Sequence, residues 1–326
     1  MQRGECAGPL PVRIEESFAR QLDALPGPTR RLVQLAAADP SGNPSLLLLR
    51  AAGRLAIPAD AADPAVQAGL VEFRGWVRFR HPLARSAAYR SASFSDRQQM
   101  HAALAEETDP QADPDRRAWH RAQAATGPDE EVAAELERSA GRAQAGGGLA
   151  ATAAFLERAV ALTADPARHT GRILAAAQAN MQAGEFDKAL ELLATAAARL
   201  LDEPASAQVE LLRGQISFVS GLGSGAPLQL LKAASRLEPF NLELARETYL
   251  IAWSAATSRA HLDGGTLLER ICRAIRALPT PGGNPRPLDL LLDGLALLTT
   301  EGHTAAAPTL RRAAPPTSCT ARRSNG

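Results

Sequence analysis

The segment whose spacing comes nearest to a cofactor-binding loop is Gly221-Leu222-Gly223-Ser224-Gly225-Ala226. A GxGxxA run after a strand and before a helix lets the backbone approach a pyrophosphate and sets that group at a helix N-terminus. Ile216-Ser217-Phe218-Val219, just before it, is β-prone. The surroundings oppose a dinucleotide site, because no alternating strands and helices flank the run and Gly221 falls in phase with a longer repeat. His101, His120, His169, His261 and His303 are scattered without HExxH or other ligand spacing, which points to surface or packing roles and to no metal site. Glu106-Glu107 and Glu130-Glu131 occupy adjacent helical positions that point in different directions, so they read as solvated faces rather than acid-base pairs. No GxSxG or Cys/His arrangement offers a nucleophile. A P-loop needs GxxxxGK[ST], and neither Lys188 nor Lys232 stands in that setting. The sequence thus predicts no catalytic residue and a chain that is not an enzyme.

The elements that carry these residues are helical hairpins. A glycine followed by alanines five and twelve positions later recurs at roughly forty-residue intervals, the period of tetratricopeptide-like repeats. Gly184, Ala189 and Ala196 form the clearest copy and Gly302, Ala307 and Ala314 a second; weaker copies start at Gly147 and Gly221, with a degenerate one around Gly264. The glycine permits the turn, and the alanines let neighbouring helices approach while Leu190, Leu192 and Leu193 fill the adjacent groove. Such stacks offer a recognition surface and no chemistry of their own. Trp119, Phe155, Phe186, Phe218 and Trp253 either line that surface or pack in the core.

The first hundred residues read differently. Residues 14–38 show helical periodicity broken at Pro26-Gly27-Pro28, with Thr29 as a helix cap, and further helices are predicted after Ser45 and over 60–68. Leu70–Phe73 and Trp76–Phe79 are β-prone runs around Arg74-Gly75, a hairpin signal. Helical periodicity returns from Pro82 to Glu107, and the polar run 108–114 marks a domain boundary. Helices then hairpin suggest a winged helix, in which Arg74, Arg78, Arg80 and Arg85 would cluster near the wing. Beyond the boundary, breaks at Asp165-Pro166, Pro204, Pro239 and Pro279–Pro287 should separate helices, since an internal proline costs about 3 kcal/mol. The prediction is therefore an all-α chain: a winged-helix-like domain over 1–107 with a small β-hairpin, a tetratricopeptide-like α-solenoid over 115–314, and a disordered tail over 315–326.

Composition agrees with helices. Hydrophobic residues make up 45% of the chain but aromatics only 4%, which suits close packing of alanine-rich helices. The net charge of +1 comes without the dense basic stripe of an autonomous nucleic-acid binder. Cys6, Cys272 and Cys319 lie far apart and read as free thiols in a reducing cytoplasm. No apolar stretch is long enough to span a bilayer, so no membrane partner is expected.

Phe79-Arg80-His81-Pro82-Leu83-Ala84-Arg85-Ser86, Asp113-Pro114-Asp115-Arg116-Arg117-Ala118-Trp119-His120 and Gly141-Arg142-Ala143-Gln144-Ala145 together resemble the LuxR-type large ATP-binding transcriptional regulators of actinobacteria, a class of signal-transducing ATPases. The likeness runs from about Leu10 to Ala314. It implies a winged helix that couples an ATPase module, absent here, to a helical-repeat sensor, with DNA bound only through a further C-terminal domain. ATP or ADP is then implied for the other module and no cofactor for this chain. The resemblance makes His81 a nucleotide-phosphate sensor in intact relatives; read from its own surroundings, the residue caps or packs locally. Its partners would be a protein or small-molecule inducer on the repeat surface. The alternative function is a free-standing repeat scaffold that binds a protein or peptide.

Overall fold

The computed structural model describes residues 10–39, 42–199, 201–221, 225–258, 265–279 and 284–314, with side chains from residue 17 onward. The predicted tail over 315–326, Cys6, Cys319, His261 and the repeat copy at Gly264 lie outside the described residues. Contacts divide the chain into two compact units, Met1–His169 and Thr170–Gly326.

The first unit opens with α1 (Leu10–Asp23), α2 (Gly27–Ala37), α3 (Ser45–Arg54) and the short α4 (Asp63–Gln67). Pro26 caps α2 and Pro28 lies in its first turn, where a missing N–H costs nothing. Thr29 is therefore inside the helix and buried rather than at its cap. α2 is the centre of the unit: Leu32 and Leu35 pack towards Leu48, Met100 and Leu104, while Val33 and Ala37 pack towards Leu22, Val71 and Ala88.

The hairpin forms as predicted, β2 (Val71–Phe73) pairing antiparallel with β3 (Trp76–Phe79). A third strand that the sequence did not announce, β1 (Asn43–Pro44), pairs with the other edge of β3. It is fixed by Gly42, whose φ of +82° favours glycine and whose added Cβ would sit 3.1 Å from the Val77 carbonyl. Helices α5 (Pro82–Ser91) and α6 (Phe94–Glu107) follow and complete a winged-helix-like bundle.

α7 (Pro114–Ala124), α8 (Glu130–Ala145) and α9 (Leu149–Ala161) belong to the same unit, so the sequence boundary at 108–114 falls within it. Their small core of Ala118, Ala122, Val132, Leu136 and Ala159 is closed by Trp119 and Phe155, whose rings meet edge to face at 6.0 Å. The acidic pairs are tied into ion pairs. Glu107 is bonded by Arg50 and Arg54, Glu106 by Arg54, Glu130 by Arg168 and Glu131 by Arg121.

The second unit stacks α10 (Pro166–Gln182, from Thr170 on), α11 (Phe186–Ala197), α12 (Glu203–Val219), α13 (Ala226–Leu237), α14 (Leu242–Thr257), α15 (Thr266–Ala277), α16 (Pro287–Glu301) and α17 (His303–Ala313). With the first unit this makes an all-α protein carrying a small sheet. Ala189 and Ala196 are fully buried on α11, as the repeat demands, but Leu190 is exposed rather than in the groove. In the last copy the buried alanine is Ala306, not Ala307, and Ala314 lies beyond the helix end. The reason is one of phase: Gly302 is itself the cap of α17, whereas Glu185 intervenes between Gly184 and α11.

Residues 216–219 are the last turn of α12, not a strand. Leu212 and Ile216, four residues apart, face the core, and burial at helical spacing outweighs local β-propensity.

Candidate functional site

His81 stands between β3 and α5, with the extended backbone of a helix cap (φ −136°, ψ 134°). Pro82 occupies the first helical position, and the His81 Nδ1 accepts a hydrogen bond from the Leu83 N–H at 3.1 Å. The ring lies 5.3 Å from that of Phe18. The local reading, a cap, is thus realised. An imidazole that accepts at Nδ1 carries its proton on Nε2 when neutral, which leaves an exposed donor with no hydrogen-bond partner among the described residues. Beside it, a cleft of about 430 Å³ runs between the sheet and α5, with Arg78 and Arg85 on its walls and Asp39 at its floor. Arg80 is tied to Glu72 at 3.1 Å and Arg85 donates to the Ala37 carbonyl at 3.4 Å, whereas the Arg78 side chain has no such partner among the described residues.

A larger groove of about 670 Å³ lies among α12, α13 and α15. Leu231 and Ala274 contribute apolar surface, and Lys232, Arg270 and Arg273 ring it with positive charge. Arg236, also in the lining, is neutralised by Glu203 at 2.7 Å and Glu210 at 2.6 Å. Its hydrogen bond to Glu203 holds its own proton more firmly and lowers the Glu203 carboxyl below the ordinary range. Lys232, Arg270 and Arg273 have no such partner among the described residues. Nothing in a run of sequence announces this triad, because the three cations come from two helices joined by α14.

The GxGxxA segment does not form a dinucleotide loop in the expected setting. α12 precedes it in place of a strand, and Gly221, at φ +67°, sits just past the helix C-cap, the ordinary station of a terminating glycine; Leu222, Gly223 and Ser224 lie outside the described residues. Phe218 and Trp253 pack against the core of the second unit, and the Trp253 Nε1 donates to Thr299 Oγ1 at 3.3 Å. No group of His, Cys, Asp and Glu fit to hold a metal occurs among the described residues. None of their helices is long and apolar enough to cross a membrane.

Two histidines that the sequence treated as scattered are brought together. His101 and His120, nineteen positions apart, are both buried, and their Nδ1 atoms lie 2.8 Å from each other. No spacing rule links residues on consecutive helices across a six-residue gap; only the packing of α6 on α7 does.

No family model matches the chain, and no curated protein matches it. Among solved structures it is similar to a signal transduction ATPase with numerous domains that carries a tetratricopeptide repeat sensor, from Pyrococcus horikoshii, at 15% identity and a TM-score of 0.34. The match covers 95% of this chain and 46% of that one, so the chain spans less than half the length of that protein.

Proposed function

We propose that this chain is the sensor and coupling segment of a LuxR-type ATP-binding transcriptional regulator. In this reading the groove among α12, α13 and α15 recognises an acidic group on an inducer or partner protein. The winged-helix-like bundle passes the resulting change to a nucleotide-binding module, and a separate domain contacts DNA. The observation that carries the sensing role is the groove itself, with three cations that have no ion-pair partner among the described residues above an apolar floor on stacked hairpins. Clefts of this size suit ligands that combine an apolar body with a few fixed polar contacts.

For the coupling role the support is His81. Its Nδ1 is engaged by the helix it caps, so its ring is oriented and its Nε2–H faces outward, as a donor to a phosphate oxygen must. The mechanism is a shift of population: nucleotide held against His81 favours a closed arrangement, and a ligand that binds the open arrangement better displaces it.

The test is reporter transcription together with ADP retention in an intact regulator of this type bearing the equivalent of His81→Ala. Lower retention and raised basal transcription are expected. Unchanged retention and transcription would remove the coupling role, and would favour a free-standing scaffold that binds a protein through the same groove.

A further inference from the structure

A chain of polar side chains, buried except at its half-exposed Tyr89 end, crosses the first unit from α5 to just past α2. Tyr89 Oη lies 3.0 Å from His101 Nε2, His101 Nδ1 lies 2.8 Å from His120 Nδ1, and His120 Nε2 lies 3.3 Å from Asp39 Oδ2. Asp39 also receives Arg116 Nε at 3.2 Å, and Arg116 reaches back to the Gly42 carbonyl at 3.1 Å. His101, His120 and Asp39 expose 2%, 0% and 3% of their surfaces, so water does not compete for the bonds among them, while Tyr89 is half-buried.

The donor and acceptor roles follow from one end. Asp39, ionised beside Arg116, can only accept, so His120 Nε2 carries a proton and a neutral His120 accepts at Nδ1. His101 Nδ1 must then donate, which leaves its Nε2 to accept from the Tyr89 hydroxyl. The neutral chain has a single direction, from Tyr89 to Asp39. It ties α5 and α6 of the winged-helix-like bundle, and the end of α2, to α7.

We propose that this chain is an acid-sensitive latch that fastens α7 to the winged-helix-like bundle. When α7 lifts from the bundle, a proton from solvent adds to the lone pair of His101 Nε2, the atom that accepts from the Tyr89 hydroxyl in the closed latch. The imidazolium so formed can no longer accept there and cannot return to its dry site without giving up that proton, so acid favours the open latch. The charged groups facing the pair are Asp39 at the end of α2, Arg97 on α6, Arg116 on α7, itself bonded to Asp113, and Arg158 on α9. Cations outnumber the one carboxylate in contact with the pair, so the added charge weakens the latch. Burial, then the neighbouring His120, push His101 down to about 3 in the closed latch.

The experiment uses the full chain labelled with ¹⁵N-histidine. At pH 8, long-range ¹H–¹⁵N spectra should show His101 as the Nδ1–H tautomer and His120 as the Nε2–H tautomer. Hydrogen exchange, corrected for the intrinsic rate, should show α7 protection constant above about pH 6.5 and falling from there to about pH 4.5, by up to about tenfold per pH unit. In His101→Gln that pH dependence should vanish. Should that variant fail to fold, Tyr89→Phe keeps the ring packing and the Nδ1–H tautomer that Asp39 sets through His120, but removes the donor to His101 Nε2 and should weaken the pH dependence of α7 protection. An Nε2–H tautomer at His101 in the wild-type chain, α7 protection independent of pH, or an unchanged acid response in the variants would each overturn the latch.

Discussion

Gly294 on α16 and Leu310 on α17 stand in the relation that Gly214 on α12 has to Leu230 on α13. In each pair the leucine lies sixteen residues on, and its backbone nitrogen would be 3.4 Å from a Cβ added to the glycine. The leucine side chains come closer still, at 2.5 Å for Leu310 and 3.0 Å for Leu230. These are the points where the second helix of a hairpin presses on the first. Gly294→Ala should therefore destabilise the second unit by about 1–3 kcal/mol, the range for overpacking a tight seam, and Gly214→Ala by less. Thermal melts of the two variants check the order.

A buried ion pair joins the neighbouring hairpins. Arg246 Nε donates to Asp289 Oδ1 at 2.7 Å, and both side chains are only 3% exposed. Burial raises the Asp289 carboxyl, but hydrogen bonds from Arg286 and Arg246 outweigh it and hold the carboxyl below its ordinary value. Arg286 still bonds Asp289 when Arg246 is removed, so Arg246→Ala should cost about 1.5–3 kcal/mol, the loss of a charged hydrogen bond rather than of a carboxylate's last partner. Replacing both with leucine and methionine should cost much less. Denaturant unfolding of the single and double variants measures the difference.

His81 separates two roles by substitution. Loss of the cap in His81→Ala should weaken the first unit by about 0.5–2 kcal/mol, and His81→Asn, whose side-chain oxygen can also accept from the Leu83 N–H, should restore most of that. A phosphate-facing role would be lost in both variants. Urea unfolding beside nucleotide retention in an intact regulator distinguishes them.

Acid should weaken the first unit before it weakens the second. His101 takes a proton at about 6.5 when unfolded but at about 3 in the fold, so the unfolded state binds more protons between those values. Stability contributed by the neutral ring is whole above pH 6.5 and is lost as pH falls through that window, by at most about 1.4 kcal/mol per unit. Melting at a series of pH values, with and without His101→Gln, reads the slope.

Much of this architecture was legible in the residues. The positive-φ glycines Gly184 and Gly302 and the alanines of α11 announce hairpins because a turn and a close approach each restrict the residue type. The Arg74-Gly75 hairpin is equally local. What escaped reading depends on contacts between distant segments. β1 is two residues long and exists only because β3 offers an edge. The Ile216–Val219 run looked like a strand because its propensity is β, yet its burial pattern is helical. His101 and His120 carry no mutual signal until α6 and α7 pack. The cations of the groove likewise meet only when α13 and α15 are set side by side.

The central claim, that the α12–α13–α15 groove is a recognition surface for acidic groups, is tested most directly by titrating the ¹⁵N-labelled chain with an acidic, leucine-bearing peptide. The account predicts saturable amide shifts confined to α13 and α15, abolished when Lys232, Arg270 and Arg273 are together replaced by glutamate while the melting temperature is unchanged. Absence of shifts in those helices, or shifts that survive the charge reversal, would contradict it.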